Sequence, residues 1–169
     1  MAEPIRRPAG WQDILAAPEG LKAEVLGGEL ILHPRPQPPH GLTQAALSGE
    51  LSHPCYRGIG GPGGWWFVIE PDVAFGAHDI VAPDLAGWRK TRMPRFPTER
   101  PIHVVPDWVC EVLSPSSLRR DRAVKADLYL RPEVPTTGWW TPRGASSKPS
   151  RPGRAAGFGW GRGSLVSVP

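Results

Sequence analysis

The chain has 169 residues, 40% of them hydrophobic, with 20 Lys+Arg, 16 Asp+Glu and two cysteines. That length suits one domain with a real core, Cys55 and Cys110 are too few and too far apart for a disulfide framework or a zinc site, and no apolar run approaches the ~20 residues of a membrane span. Residues 1–136 hold 15 Lys+Arg and 16 Asp+Glu, so the basic surplus lies wholly in Arg143, Lys148, Arg151, Arg154 and Arg162, and charge alone does not imply nucleic acid.

The N-terminus lacks the apolar segment of a signal peptide, which makes the cytoplasm the default location. Trp11 to Ala16 predicts a short helix, stopped around Pro18-Glu19-Gly20. Lys22 to Leu26 and Glu29 to Leu32 predict two strands joined at Gly27-Gly28, a hairpin signal. The proline-rich link from Pro34 to Pro39 leads into a second helix, His40 to Leu51, with Pro54 expected to end it. The glycine cluster from Gly58 to Gly64 is a loop; with no Lys-Ser/Thr ending and no preceding strand, it is not a phosphate loop.

Trp65 to Ile69 predicts a clear strand, with Val73 to Phe75 a candidate partner. Ile80 to Trp88 predicts another, interrupted by Pro83-Asp84, and residues 89–104 a loop. Val105 to Leu113 is a β-rich run carrying Glu111 near its end, broken at Ser114-Pro115-Ser116. Ser116 or Ser117 can cap the next helix, on which Leu118, Val124, Leu128 and Tyr129 share roughly one face. This order implies an α/β sandwich with a mixed sheet. Cys110, inside its strand, is expected to be a small buried residue.

From Thr136 no acid appears, and Gly, Pro, Ser and Arg dominate without periodicity, so composition makes 136–169 an irregular, disordered basic extension. The genetic code suggests more. Read two bases later, the codons of Pro135 to Thr141 permit Val-Pro-His-Tyr-Trp-Leu-Val-Asp-Pro, a strand-like peptide, from one base lost near Pro135. Residues 136–169 are therefore expected to be a frameshift product following a domain at 1–135.

Four residues can carry chemistry: Glu24 in the first strand, Asp84 after Pro83, Glu111 at a strand end, and Lys125 about two turns into the next helix. A carboxylate at a buried strand end is costly unless it is paired or binds a cation. Two carboxylates from neighbouring strands can hold a divalent cation through oxygen, and the cation activates water and neutralises phosphate charge. A lysine beside them can orient the water or hold a phosphate oxygen. Spacing leaves the ordinary alternatives open: a Pro-Asp turn as at Pro71-Asp72 and Pro106-Asp107, a salt-bridged strand-end Glu, and a solvated Lys125 pairing with Asp121 at i−4.

The run from Glu24 to Leu30, His40, Val81 to Leu85, Trp108 to Ser116, and Asp121 with Lys125 and Tyr129 closely resemble the Uma2 (DUF820) family. That family is described as bacterial endonucleases of the restriction-endonuclease-like, PD-(D/E)XK, fold. The resemblance runs from about Trp11 to Pro135, and family members continue with the peptide found in the shifted frame. It implies an α/β (α+β) fold with a mixed sheet flanked by helices, short of its C-terminal strands, and Mg²⁺- or Mn²⁺-dependent hydrolysis of DNA. Asp84 and Glu111 look like the metal-binding acids, with the Val112 carbonyl a third ligand. Glu24 resembles an N-terminal acidic position that binds a second cation or orients water. Leu113 stands where the superfamily lysine would be, and Lys125 looks like its migrated replacement, with Asp121 to orient it.

DNA is the expected partner, with no membrane, and a second copy of the chain is a candidate. His40 also reads as a capping or packing residue, and His33, His53, His78 and His103 show no metal-ligand spacing. Trp65, Trp66, Trp88 and Trp108 could stack on bases but suit a sheet core better. Arg89, Lys90, Arg92 and Arg95 are candidate phosphate contacts. The competing functions are a silent nucleic-acid-binding or regulatory protein of the same fold, or a non-functional truncated product.

Overall fold

The computed structural model describes residues 7–112, 120–129, 137–141 and 164–167. Helix α1 (Trp11–Leu15) precedes strands β1 (Leu21–Leu26) and β2 (Glu29–Pro34). The two strands pair antiparallel across Gly27 and Gly28, whose φ values of 59° and 81° are the left-handed pair that a two-residue hairpin turn requires. Their register sets Lys22 opposite His33 and Glu24 opposite Ile31, so these four share the inner face of the hairpin.

Helix α2 (Pro38–Leu51) starts with prolines in its first turn, where a missing N–H costs nothing. Pro54 does not end the helical path as expected; it lies inside a π-helical turn, Ser52–Tyr56, closed by the Arg57 N–H on the Ser52 carbonyl at 2.9 Å. The wider turn relieves the clash a proline ring makes in an α-helix.

Strands β3 (Trp65–Ile69), β4 (Val73–Ala74), β5 (Ile80–Val81), β6 (Leu85–Arg89) and β7 (Trp108–Val112) follow. One sheet has the order β2-β1-β5-β4; helix α3 (Arg120–Tyr129) and strands β8 (Thr137–Thr141) and β9 (Ser164–Ser167) complete the fold, and the second sheet runs β3-β6-β7-β8-β9. Val73 to Phe75 is therefore not the partner of β3, which pairs with β6 instead. At the end of β3, Glu70 at φ 48° and Pro71 turn the chain away, and β4 lands beside β5 in the other sheet. The Ile80 to Trp88 run is divided in the same way: Pro83-Asp84 is where the chain passes from one sheet to the other.

Strand β7 lies at the centre of its sheet, antiparallel to β6 and parallel to β8, which makes the sheet mixed. Alternation along β7 separates two cores. Val109 joins Trp88, Leu128 and Tyr129 in the larger, whereas Cys110 joins Leu85, Leu51 and Cys55 in the smaller, beneath the end of α2. Trp88 is fully buried, with its ring N–H on the Val104 carbonyl at 2.7 Å, and is core rather than a base-stacking surface.

The structure differs from the composition of the tail in β8 and β9, which place regular strands after Pro135. An unpaired edge of a central strand offers a row of backbone donors and acceptors, and a segment with two tryptophans has the β propensity to take it. The rest of 136–169 lies outside the described residues, as do Leu113 and the Ser114–Ser117 break. Among the described residues, no helix is long and apolar enough to cross a membrane.

Candidate functional site

The two sheets and the two longer helices converge where β6 begins and β7 ends. Glu24, on the inner face of β1, is 1% exposed. Its Oε1 accepts the Ala82 N–H at 2.8 Å and the Lys125 ammonium at 2.9 Å, and its Oε2 lies 3.3 Å from the His33 ring Nε2. Glu111 projects from β7 to the same place. Its Oε1 accepts the Tyr129 hydroxyl at 2.7 Å and lies 3.4 Å from the Lys125 ammonium. Lys125 and Tyr129, four residues apart on α3, present one face of the helix to both acids.

Asp84 occupies the step between sheets. Its Oδ2 accepts the Val112 N–H at 2.7 Å, which ties it to the strand that carries Glu111. Its Oδ1 meets His40 Nε2 at 2.9 Å and the Gln44 amide at 3.2 Å, both from α2, while the Lys22 ammonium lies 4.0 Å away. The same Gln44 amide donates to Glu70 Oε1 at 3.0 Å. One ligand atom from each of His40, Glu70 and Asp84 lies within 4.8 Å of the others, close enough to hold an ion.

Burial and charge pull these groups apart. Burial would raise Glu24, but the Lys125 ammonium, His33 and Lys22 bring it down to about 2. Glu111 goes the other way, to about 7, because burial and the neighbouring Asp84 and Glu24 carboxylates outweigh Lys125 and Lys22. Asp84 is lowered despite its burial, chiefly by His40 and Lys22. Lys125 is raised: burial opposes its charge, but Glu111 and Glu24 sustain it. His40 is raised by its hydrogen bond to Asp84. Among the described residues, three acids thus face two ammonium groups and two imidazoles, and Glu111 is the acid that burial and its neighbours press hardest toward its proton.

The structure brings together Glu24, Asp84, Glu111, Lys125 and Val112, the five residues singled out from sequence. The side chain of Asp121 lies outside the described residues. Lys22, Gln44, Glu70, Tyr129 and the two histidines beside the acids were not assigned site roles from sequence. Glu70 carries a signal that could have found it, an acid directly after a strand, as Glu111 is an acid at the end of one. Three of the four candidate phosphate contacts are engaged within the chain. Arg89 lies 5.2 Å from the Trp65 ring centroid, Lys90 lies 4.3 Å from that of Trp66, and Arg92 pairs with Asp107 at 2.8 Å.

A protein-family model described as "Uma2: Putative restriction endonuclease" matches residues 11–157. Among solved structures the fold is similar to the crystal structure of "a putative nuclease belonging to DUF820" from Anabaena variabilis. The two share 21% sequence identity at a TM-score of 0.59, over 77% of this chain and 72% of that one. No curated protein matches the chain.

Proposed function

This chain belongs to the Uma2 family, and from that premise we propose that it is a restriction-endonuclease-like nuclease that hydrolyses DNA phosphodiester bonds with Mg²⁺ or Mn²⁺. The observation that carries the proposal is the meeting of Glu24, Asp84, Glu111 and Lys125, from separate elements, in one buried cluster. Asp84, Glu111 and the Val112 carbonyl offer only oxygens, the ligand type a hard cation takes. Asp84 Oδ2 accepts one N–H and keeps a second lone pair, and both described hydrogen bonds to Glu111 fall on Oε1. In an extended strand a residue's N–H and C=O point to the same side, so the Val112 carbonyl faces the side where Asp84 lies. Asp84, Glu111 and the Val112 carbonyl would hold the cation.

A bound divalent cation supplies neutralising charge at the scissile phosphate and a more acidic water. The chain's own groups do the rest. Lys125 fixes Glu24 and Glu111 relative to each other, and Tyr129 fixes the rotamer of Glu111. A carboxylate held at about 2 is a poor proton acceptor, so Glu24 serves to orient water or to hold a second cation rather than to take a proton. His40 and Gln44 hold Asp84.

The test is Mg²⁺-dependent nicking of supercoiled plasmid by the purified chain. Glu111→Ala is expected to reduce the rate by about 10²-fold or more. Binding of DNA by the wild-type chain with no cleavage in Mg²⁺ or Mn²⁺ would favour the silent nucleic-acid-binding alternative.

A further inference from the structure

The site holds a second lysine. Lys22 sits two residues before Glu24 on β1, so both side chains point to the inner face of the hairpin. Its ammonium lies 4.0 Å from Asp84 Oδ1, at the limit of an ion pair, and among the described residues no hydrogen bond holds it. Lys125 is placed quite differently, at 2.9 Å from Glu24 and 3.4 Å from Glu111. The Lys22 charge is nonetheless felt across the whole cluster, since it acts on Glu24, His40, Asp84 and Glu111 alike.

Access separates the two lysines further. The Lys125 side chain is 9% exposed, beneath Glu24 at 1% and Glu111 at 10%. The Lys22 side chain is 18% exposed and has His40 at 14% beside it, so solvent reaches the cluster from this flank. With Lys22 and His40 both partly exposed beside Asp84, a nucleic-acid phosphate can approach the cluster from this flank. A compact, strongly hydrated ammonium on a flexible stem, with no hydrogen bond to hold it among the described residues, is suited to receive it.

We propose that Lys22 is the phosphate-contacting lysine of this site, and that Lys125 is a positioning residue that never leaves its two carboxylates. The proposal rests on the nuclease assignment above and adds a catalytic residue to it. Lys22 would hold a non-bridging oxygen of the scissile phosphate beside Asp84 and offset the charge that grows there as the bond breaks.

The test compares Lys22→Met, Lys22→Arg and wild type in the full-length chain by three readouts: plasmid nicking in Mg²⁺, binding of a short duplex in Ca²⁺, and thermal melting. Lys22→Met is expected to nick about 10²-fold more slowly, to bind the duplex several-fold more weakly, and to melt like the wild type. Lys22→Arg, which keeps the charge, should recover much of the binding. Nicking and binding by Lys22→Met at wild-type levels would overturn the proposal and leave the nuclease assignment standing. A melting loss in Lys22→Met that accounts for its lost activity would overturn it too, because the role would then be structural. A wild-type chain that binds but never cuts sinks the nuclease assignment, while weaker binding by Lys22→Met still supports the phosphate contact. A wild type that neither binds nor cuts overturns both.

Discussion

The two flanks of the acidic cluster use the same residue types to opposite ends. On the α3 flank, Glu24, Glu111, Lys125 and Tyr129 are buried and bonded to one another. On the α2 flank, Asp84 is shared among His40, Gln44 and Lys22, and Glu70, His40 and Lys22 reach the surface. A buried ion pair is expensive to break, because the remaining partner is left charged in a low-dielectric setting. On the α2 flank Lys22 is 18% and His40 14% exposed, and Lys22 stands 4.0 Å from its acid, so water or substrate can compete for it. The α3 flank is therefore built for fixity, and the α2 flank is where a ligand can compete for donors.

That contrast is most open to attack at Lys125. Lys125→Met strands two buried carboxylates and is expected to cost about 3–5 kcal/mol, a melting drop of about 6–20 °C in a chain of this size. A variant that melts with the wild type would show that the two flanks do not differ in this way.

The next effect is the pH dependence of stability in chelator. Glu111 is raised from 4.5 to about 7, so between those values the folded state binds more protons than the unfolded one, and stability falls as pH rises. Glu24 is lowered from 4.5 to about 2, and its contribution, present above pH 4.5, is lost as pH falls through that window. Denaturant melts of wild type and Glu111→Gln should differ in slope between pH 4.5 and 7, with a spread on the order of 1–3 kcal/mol. Parallel slopes would place the pH dependence elsewhere.

Tyr129→Phe removes one buried hydroxyl bond to Glu111 and is expected to cost about 1–2 kcal/mol, read as a melting shift of a few degrees. Gln44→Ala removes a buried donor shared by two carboxylates and is expected to cost about 1–2 kcal/mol. Its distinguishing effect is on the cation: the melting increase that Mg²⁺ gives the wild type, by binding only the folded state, should shrink when Asp84 loses a donor that orients it. An unchanged Mg²⁺ shift in Gln44→Ala would remove the α2 flank from the cation site. The origin of the tail is settled at the gene. Codons from Pro135 to Thr141 that cannot spell Val-Pro-His-Tyr-Trp-Leu-Val-Asp-Pro would exclude the frameshift.

Much of the fold was legible because local rules agree with it. The Gly27-Gly28 turn dictates a hairpin, the β-rich run with Glu111 near its end forms the central strand, and Leu128 and Tyr129 turn inward from α3, whereas Val124, expected on the same face, is exposed. The allocation of strands to sheets was not legible. Val73 to Phe75 has the right composition to pair with β3, yet the turn at Glu70-Pro71 carries it to the other sheet. Composition likewise gave no strand after Pro135, since an open edge of β7 belongs to another part of the chain. The acids were found because strand ends and a Pro-Asp step are local features. Lys22 and Gln44 were not found because nothing in their own segments marks them.

Local sequence determined which segments extend and which coil, and it placed the acids at segment ends, because turn chemistry and side-chain periodicity act over a few residues. Only the tertiary structure decided that β1 would carry Glu24 and Lys22 to the mouth of β7, or that α2 would lend His40 and Gln44 to Asp84. Those meetings join residues 40 and more positions apart. They depend on how two sheets and two helices pack against one another, and no short stretch of the chain encodes that.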